Sequence, residues 1–197
     1  MKKHIQVAIG SILGDGCLTY LSKRKNNSQL YVSQHKSKLA YLEWLYQQLE
    51  TGFVMNPIKP KKGYEQYYLT TKPHKDLGKL MMKFYPDGKK IIPVDIQSLL
   101  ISPISLAVWY MDDGTLDNRL KNHKNSLLAT YCFSFDDCHR LSKAIKINFG
   151  VEMIVTKCTM RGKLYPRLYV KSTSQARFLS IVNKFVQPVF RYKMGYI

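Results

Sequence analysis

The sequence predicts an α+β protein built from two similar halves, each with the order helix, two strands, helix, two strands, helix. An apolar run that ends in Asp-Gly occurs at residues 8–16 and again, 98 positions later, at residues 106–114. Further residues match at this offset through most of both halves, and each half carries a net charge of +9. We therefore expect residues 1–99 to form the first half with its connector and residues 100–197 to form the second.

The charge of the chain indicates the class of its partner. With 31 Lys and Arg against 13 Asp and Glu in 197 residues, the net charge is +18, while 45% hydrophobic content is typical of a folded core. Such a charge favours a polyanion, above all a nucleic acid, over a small acidic substrate. The longest apolar stretch, residues 96–111, is interrupted by polar residues and Pro103, so we expect no membrane span.

The spacing of the cysteines and the residues near the amino terminus indicate in which cellular compartment the protein is located. The four cysteines show no paired short spacing with each other or with histidines, which argues against a zinc site and a disulfide framework. Asp15 falls where a signal-peptide cleavage site would follow the apolar run of residues 7–13. We expect an intracellular location, in an organelle matrix or the bacterial cytoplasm.

The elements of the first half follow from hydrophobic periodicity. After the apolar helix, residues 18–24 and 29–35 alternate as a hairpin, and residues 39–49 form an amphipathic helix. Residues 64–71 predict a further strand. A last helix carries four apolar residues at helical spacing, namely Leu77, Leu80, Met81 and Phe84.

The second half repeats this pattern. Ser102 before Pro103 suits the start of the second apolar helix, and a helix begins at Asp136 and ends at Gly150. Residues 164–172 predict a strand, and Phe178, Ile181, Val182 and Phe185 predict the last helix. We expect Gly16 and Gly114 to adopt the left-handed conformation that ends many helices.

The two aspartates that end the apolar helices are the strongest chemical signal. A carboxylate is unfavourable at a helix carboxyl terminus because its charge opposes the helix dipole. If the two helices pack side by side, with Gly10 and Gly14 allowing close approach, Asp15 and Asp113 meet beside free helix-end carbonyls such as that of Gly14. A hard divalent cation would offset this repulsion. Asp112 would serve the cation through its carbonyl or be solvated, and we expect Asp117 to be a turn residue.

The repeated runs AIGSILGDG and LAVWYMDDG resemble the two copies of the LAGLIDADG motif, and the whole sequence is similar to monomeric, double-motif LAGLIDADG homing endonucleases. Further resemblance comes from the segments Lys89–Pro93 and Ser102–Gly114 and from Tyr192-Lys193. The resemblance implies two αββαββα halves, with the motif helices at the centre and two saddle-shaped antiparallel sheets over the DNA major groove. It also implies Mg²⁺-dependent cleavage of both strands of a long asymmetric site across the minor groove, and we expect Mn²⁺ to substitute.

The resemblance assigns roles to individual residues. Asp15 and Asp113 match the final acidic positions of the motifs and are implied metal ligands, and Lys90 and Lys193 are implied to lie near the scissile phosphates. Gln34 matches a strand residue that helps to order the hydrolytic water. The second half has Tyr131 or Cys132 at that place, so a symmetric water network is not expected.

Outward strand positions supply the candidate DNA contacts. Arg and Gln can pair bidentately with base edges, whereas Lys mostly contacts phosphates. The candidates are Arg24, Gln29, Tyr31, Ser33 and Lys72 in the first half and Arg167, Tyr169 and Lys171 in the second.

Two other functions stay open from the sequence. The first is an intron maturase that binds its host intron RNA, and the second is a DNA-binding regulator without enzymatic activity. The presence of both carboxylates and both lysines favours a double-strand DNA endonuclease encoded in an intron. Because both motif copies lie in one chain, we expect a monomer.

Overall fold

The structure is a computed structural model that describes residues 1–20, 26–120 and 123–195. Its first half has the predicted αββαββα order, in which a short 3₁₀ turn at Lys36–Lys38 precedes the second helix. The elements are α1 (Lys3–Leu13), β1 (Cys17–Thr19), β2 (Gln29–His35), α2 (Leu39–Leu49), β3 (Lys59–Pro60), β4 (Gln66–Thr70) and α3 (Lys75–Phe84).

The second half follows a connector that contains one short helix, α4 (Ile96–Leu99). It repeats the order of the first half and ends in a 3₁₀ segment at Pro188–Met194. Its elements are α5 (Pro103–Asp113), β5 (Gly114–Leu120), β6 (His123–Ala129), α6 (Phe135–Phe149), β7 (Met153–Met160), β8 (Lys163–Val170) and α7 (Ser172–Asn183).

The two sheets have the same antiparallel topology. Their strand orders are β1-β2-β4-β3 and β5-β6-β8-β7, so the sequence repeat is also a repeat of structure. Leu30 and Val32 of β2 are buried against the helices, while the intervening side chains are partly exposed. Each sheet therefore covers the core with one face and leaves the other accessible.

Helices α1 and α5 pack together at the centre of the molecule, as predicted. A Cβ added to Gly10 would lie 2.5 Å from the carbonyl oxygen of Ser105, so this glycine is required by the close approach of the two helices. Gln6, which is buried, accepts hydrogen bonds from the Ser105 hydroxyl and the Ser102 amide at 2.6 and 3.0 Å. These contacts fix the start of α5 against α1.

The helix ends differ in part from the prediction. Gly150 has a φ of 65° and ends α6 as predicted, and Ser134 and Asp137 form a capping box at its start. Gly16 and Gly114 are not left-handed, since positive φ angles among the described glycines occur elsewhere. A Cβ on Gly114 would lie 2.1 Å from the Tyr110 ring, so crowding rather than backbone conformation selects glycine there.

The core is continuous between the halves. Side chains of α1, α2, α3, α5, α6 and α7 belong to one hydrophobic cluster that also includes the buried faces of both sheets. Trp109 is fully buried in it, and Trp44 packs against its edge. Within the described residues, no helix combines the length and the apolar character that crossing a membrane would require.

Candidate active site

Asp15 and Asp113 lie where the carboxyl ends of α1 and α5 meet, but their settings differ. Asp15 follows the helix end and is exposed, whereas Asp113 is the last residue of its helix and is half-buried. Burial and, next, the charge of Asp15 raise the pKa of Asp113 to about 7. The two carboxylates are therefore close enough to repel each other, in a site where only one of them is well solvated.

Asp112 is buried between the halves rather than solvated. Its Oδ1 accepts hydrogen bonds from the Tyr41 hydroxyl at 2.8 Å and from Gln34 Nε2 at 3.3 Å, and its Oδ2 accepts from the Asp15 amide at 3.3 Å. Burial, followed by the charge of Asp15, raises the pKa of Asp112 well above its usual range. This second-half residue thus contacts three groups of the first half.

Gln34 links the strand β2 to both acids. Its Nε2 donates to Asp15 Oδ2 at 2.7 Å as well as to Asp112. Gln34 alternates with the partly exposed positions of β2, so it shares the buried face of the strand with Leu30 and Val32. Its side chain therefore lies on the helix side of the sheet at the strand end. The first carboxylate is thereby held in one orientation by a neutral amide.

Gly14 is the first-half counterpart of Asp112. A Cβ on Gly14 would lie 2.5 Å from the Asp112 Cβ and 2.7 Å from its Oδ2. Two side chains do not fit at this point of the helix interface, so the site holds one central carboxylate and one glycine. The Gly14 carbonyl oxygen is a candidate metal donor, and in this structure it accepts from Lys90 Nζ at 3.3 Å.

The two lysines occupy equivalent positions at the two helix ends. Lys90 Nζ donates to the carbonyls of Gly14 and Gly16, and Lys193 Nζ donates to that of Met111 at 2.6 Å. Each lysine therefore offsets the negative end of one motif helix. Lys193 is the more deeply buried, and burial together with the nearby Lys38 lowers its pKa to about 8.

The donor chemistry fits a hard divalent cation. Among the described residues, no three His, Cys, Asp or Glu side chains are grouped as a complete metal site. Mg²⁺ is commonly held by one or two carboxylates and completes its shell with water and substrate phosphate oxygens. Asp15, Asp113 and the neighbouring helix-end carbonyls are donors of that kind, and a cation between them would relieve the repulsion that raises the pKa of Asp113.

The candidate DNA contacts of the first half lie mostly on the open face of its sheet. Gln29, Tyr31 and Ser33 alternate along β2 and are partly exposed. Tyr31 stacks on Tyr68 of β4, with ring centroids 5.4 Å apart. Arg24 lies outside the described residues.

In the second half, the candidate contacts are engaged with other side chains. Arg167 Nε donates to the Thr156 hydroxyl at 3.1 Å, and the Tyr169 hydroxyl donates to Asp117 Oδ2 at 3.1 Å. The interpretation of Asp117 as a turn residue is wrong, since it lies in β5 and is buried.

Two predicted strand positions lie beyond the strands. Lys72 is exposed and follows the end of β4. Lys171 precedes α7 as its N-cap residue and pairs with Glu152 at 2.8 Å. The strands predicted at residues 64–71 and 164–172 thus end earlier in the structure, at Thr70 and Val170.

Tyr41 and Phe190 are the site residues that sequence reasoning missed. Tyr41 shares a helix face with Leu42 and Leu45 and so looks like an ordinary core residue. Phe190 packs edge-on against the Tyr41 ring and lies beneath the Lys193 ammonium, 4.9 Å from its ring centroid. In the sequence, only its position three residues before Lys193 could have indicated that Phe190 lies near this lysine.

Comparison with known proteins identifies relatives over nearly the whole chain. The LAGLIDADG DNA endonuclease family matches residues 5–178. An uncharacterized protein of Methanocaldococcus jannaschii is 30% identical over 94% of this chain and 70% of its own length. A probable intron-encoded endonuclease of Wickerhamomyces canadensis is 27% identical over 96% of this chain and 82% of its own length.

Solved structures share the architecture. The homing endonuclease I-WcaI bound to its DNA recognition sequence superposes with a TM-score of 0.76 at 25% identity, over 98% of this chain and 88% of that one. A variant of the homing endonuclease I-DmoI has a TM-score of 0.59 at 16% identity and covers 98% of each chain. At that identity the second likeness concerns the fold alone.

Proposed function

The chain belongs to the LAGLIDADG DNA endonuclease family, and from this premise we propose that it is a site-specific homing endonuclease that cleaves both strands of a long asymmetric DNA site. The observation that carries the proposal is the meeting of Asp15 and Asp113 at the junction of two pseudo-symmetric, strongly basic halves. The likeness to I-WcaI, which was solved on its DNA recognition sequence, supports a DNA partner.

The two halves divide the DNA between them. We assign residues 1–99 to one half-site and residues 100–197 to the other, and the protein acts as a monomer because one chain supplies both motif helices. Each half carries a net charge of +9 for phosphate contacts. The side chains on the open faces of the two sheets differ, so the preferred site is not a palindrome.

Asp15 and Asp113 would hold the divalent cation, with Mg²⁺ proposed and Mn²⁺ able to substitute. Gly14 and Asp112 contribute at most a carbonyl oxygen each, since the Asp112 carboxylate already has three donors. When bound, the cation supplies charge for the scissile phosphate and lowers the pKa of a water molecule. I-DmoI has been solved in complex with DNA and Ca and in complex with DNA and Mn, which supports the use of divalent metals by this architecture.

The remaining residues position these groups. Gln34 orients the Asp15 carboxylate, and its amide is placed to order a water molecule beside it. Lys90 and Lys193 are placed at the helix ends to offset negative charge that develops on the cleaved phosphates. Their bonds to helix carbonyls keep both ammonium groups at the junction.

A selection on randomised plasmid DNA tests this proposal. The purified protein is incubated in Mg²⁺ with a plasmid library that carries a random insert, and linearised molecules are recovered and sequenced. We expect a long asymmetric consensus and no linear product with the Asp15→Asn/Asp113→Asn variant. Binding without linear product from the parent protein would contradict the proposal.

The maturase function is the second candidate, because two maturases are among the relatives. Cytochrome b mRNA maturase bI2 of Saccharomyces cerevisiae is 27% identical over 97% of this chain. The matched region is 47% of the length of that maturase. A maturase would bind the intron RNA that surrounds its gene and speed its splicing. Splicing of that transcript at the same rate with and without the protein would exclude this activity.

A further inference from the structure

The accessible faces of the two sheets differ in chemistry. On the first sheet, the open face carries hydrogen-bonding side chains in neighbouring positions, such as Ser33, Tyr68 and Lys59 across β2, β4 and β3. On the second sheet, one row of the open face carries Leu127, Tyr169 and Ile154 instead. If both sheets contact DNA, they present different surfaces to it.

Three side chains form one row of the second open face, which Thr115 of β5 continues. Register places Leu127 of β6 and Ile154 of β7 on either side of Tyr169 of β8, all on the face away from the helices. Ile154 is 46% exposed, although it is a large aliphatic side chain. Leu127 is shielded by its neighbours, yet it lies outside the hydrophobic core cluster. We call Leu127, Tyr169 and Ile154 the apolar row.

Two polar groups beside the apolar row have partners within the protein. The Tyr169 hydroxyl donates to Asp117, and Arg167 in the adjacent row donates to Thr156. The other side chain of that adjacent row is the methyl group of Ala129, which pairs with Arg167. Ile154, Ala129 and the ring of Tyr169 therefore offer apolar contact area here, beside the Thr115 hydroxyl and the terminal nitrogens of Arg167.

We propose that the apolar row and Ala129 recognise thymine methyl groups in one half of the DNA site. This inference rests on the proposed function, because it assumes that the second sheet enters the major groove. The thymine C5-methyl is the apolar group that base pairs present there, and aliphatic side chains contact it. Guanine and cytosine carry no methyl group in the major groove, so they offer Ile154 and Ala129 less apolar contact than thymine does.

Basic side chains at the end of this face are also consistent with DNA as its ligand. Arg161 and Lys163 lie in and next to the turn between β7 and β8 and are exposed. They are placed to contact phosphates beside the groove while the apolar row contacts base edges. The half-site bound by residues 100–197 therefore carries thymine at the base pairs that contact the apolar row and Ala129.

Replacement of thymine by deoxyuridine tests this inference, because it removes the methyl group and keeps the base pairing. The site obtained by plasmid selection is synthesised with single deoxyuridine substitutions along both half-sites, and affinity is measured in Ca²⁺. We expect about fourfold weaker binding for each contacted methyl. We expect changes below about 1.5-fold in the other half-site.

The Ile154→Gln variant assigns the effect to the apolar row. In this variant we expect the loss of affinity caused by deoxyuridine to disappear at one base pair. At that position the protein's preference should change toward adenine, the base with which glutamine pairs bidentately. The matched control is Ile147→Gln on the exposed face of α6, which keeps the full penalty. Equal thermal melting and equal affinity for unrelated DNA show that both variants are folded.

The outcomes separate the two proposals. A selected site without any deoxyuridine penalty overturns thymine recognition and leaves the endonuclease intact. A penalty that persists in Ile154→Gln overturns the role of the apolar row. Failure to select any DNA site overturns the proposed function and this inference together, and it would make a protein partner the better occupant of this face.

Discussion

The two halves share a fold but treat their motif aspartates differently. Asp15 of the first half is exposed and receives a hydrogen bond from Gln34, whereas Asp113 of the second half is half-buried. At the position that corresponds to Gln34, the second half has Cys132. An internal repeat can thus preserve the order of helices and strands while the two copies of a site differ in burial and hydrogen bonding.

One residue accounts for much of this difference. Asp112 belongs to the second motif helix, but its carboxylate contacts Gln34, Tyr41 and the Asp15 amide of the first half. Its counterpart Gly14 has no side chain and could not hold one, since Asp112 occupies the space. Each half therefore depends on the other for its arrangement at the junction.

The largest expected effect separates DNA binding from cleavage. In the Asp15→Asn/Asp113→Asn variant, we expect cleavage to fall by about a thousandfold or more, because both carboxylates proposed to hold the cation are removed. Affinity in Ca²⁺ or metal-free buffer should stay within about tenfold, since basic residues over both sheets supply it. Single-turnover cleavage and electrophoretic binding on the selected site measure the two effects. Cleavage at the parent rate would refute the assignment of both aspartates.

The next effect concerns the Gly14–Asp112 pair. Gly14→Ala places a Cβ within 2.5 Å of the Asp112 Cβ, so we expect the free energy of unfolding to fall by about 2 kcal/mol. Combining it with Asp112→Gly should restore part of this loss, which urea denaturation would show as non-additivity.

Gly10→Ala is the matched control for that pair, because its Cβ would contact Ser105 and Val108 instead. Its destabilisation should be unchanged in the Asp112→Gly background. Equal rescue of both alanine variants would mean that Asp112→Gly loosens the whole helix interface rather than one contact.

The burial of Asp113 predicts a pH-dependent stability difference. Its pKa is about 7 in the folded protein against 3.8 as the reference value, so above pH 7 the folded state carries the full cost of an ionised, buried group. Between pH 7 and 4 the folded state takes up the proton and this cost declines.

Asp113→Asn should therefore raise the free energy of unfolding by about 2 kcal/mol at pH 8 in metal-free buffer and change it little at pH 4. Thermal melts over this range measure the difference, with Asp87→Asn on the exposed connector as the control. A gain that is the same at pH 4 and pH 8 would contradict the titration.

The smallest effect isolates the Tyr41 hydroxyl. Tyr41→Phe removes a donor to Asp112 at the first-half side of the junction, and we expect about 1 kcal/mol of destabilisation and about tenfold slower cleavage. Tyr46→Phe on the same helix is the control. Unchanged cleavage in Tyr41→Phe would show that the buried contact serves stability only.

The fold and the location of the motif aspartates were predictable from sequence because both follow from periodicity and repetition. Gly10 and Gly14 on one face of an apolar helix indicate a close helix partner, and the structure has that contact at Ser105 and Asp112. A period of two or of 3.6 residues likewise specifies which side of a strand or helix is buried.

The asymmetry at the junction was predictable only in part, since the sequence shows that the second half lacks a counterpart of Gln34 but not what Asp112 contacts. Tyr41 has the spacing of a core residue, and the sequence pattern does not show that its hydroxyl reaches Asp112 of α5. Gly16 and Gly114 were assigned a left-handed backbone because sequence shows the residue type but not the neighbouring ring or carbonyl that selects it. The Tyr41–Asp112 contact, moreover, joins residues that are 71 positions apart in the chain.

The measurement that tests the central claim most directly is strand-resolved cleavage of a supercoiled plasmid that carries the selected site. If the two unequal halves form one shared centre, Asp15→Asn and Asp113→Asn each abolish cutting of both strands, while Lys90→Met and Lys193→Met each slow one strand and accumulate nicked circles. If either single aspartate variant nicks one strand at the parent rate, the halves carry two independent sites and the account of a shared centre is wrong.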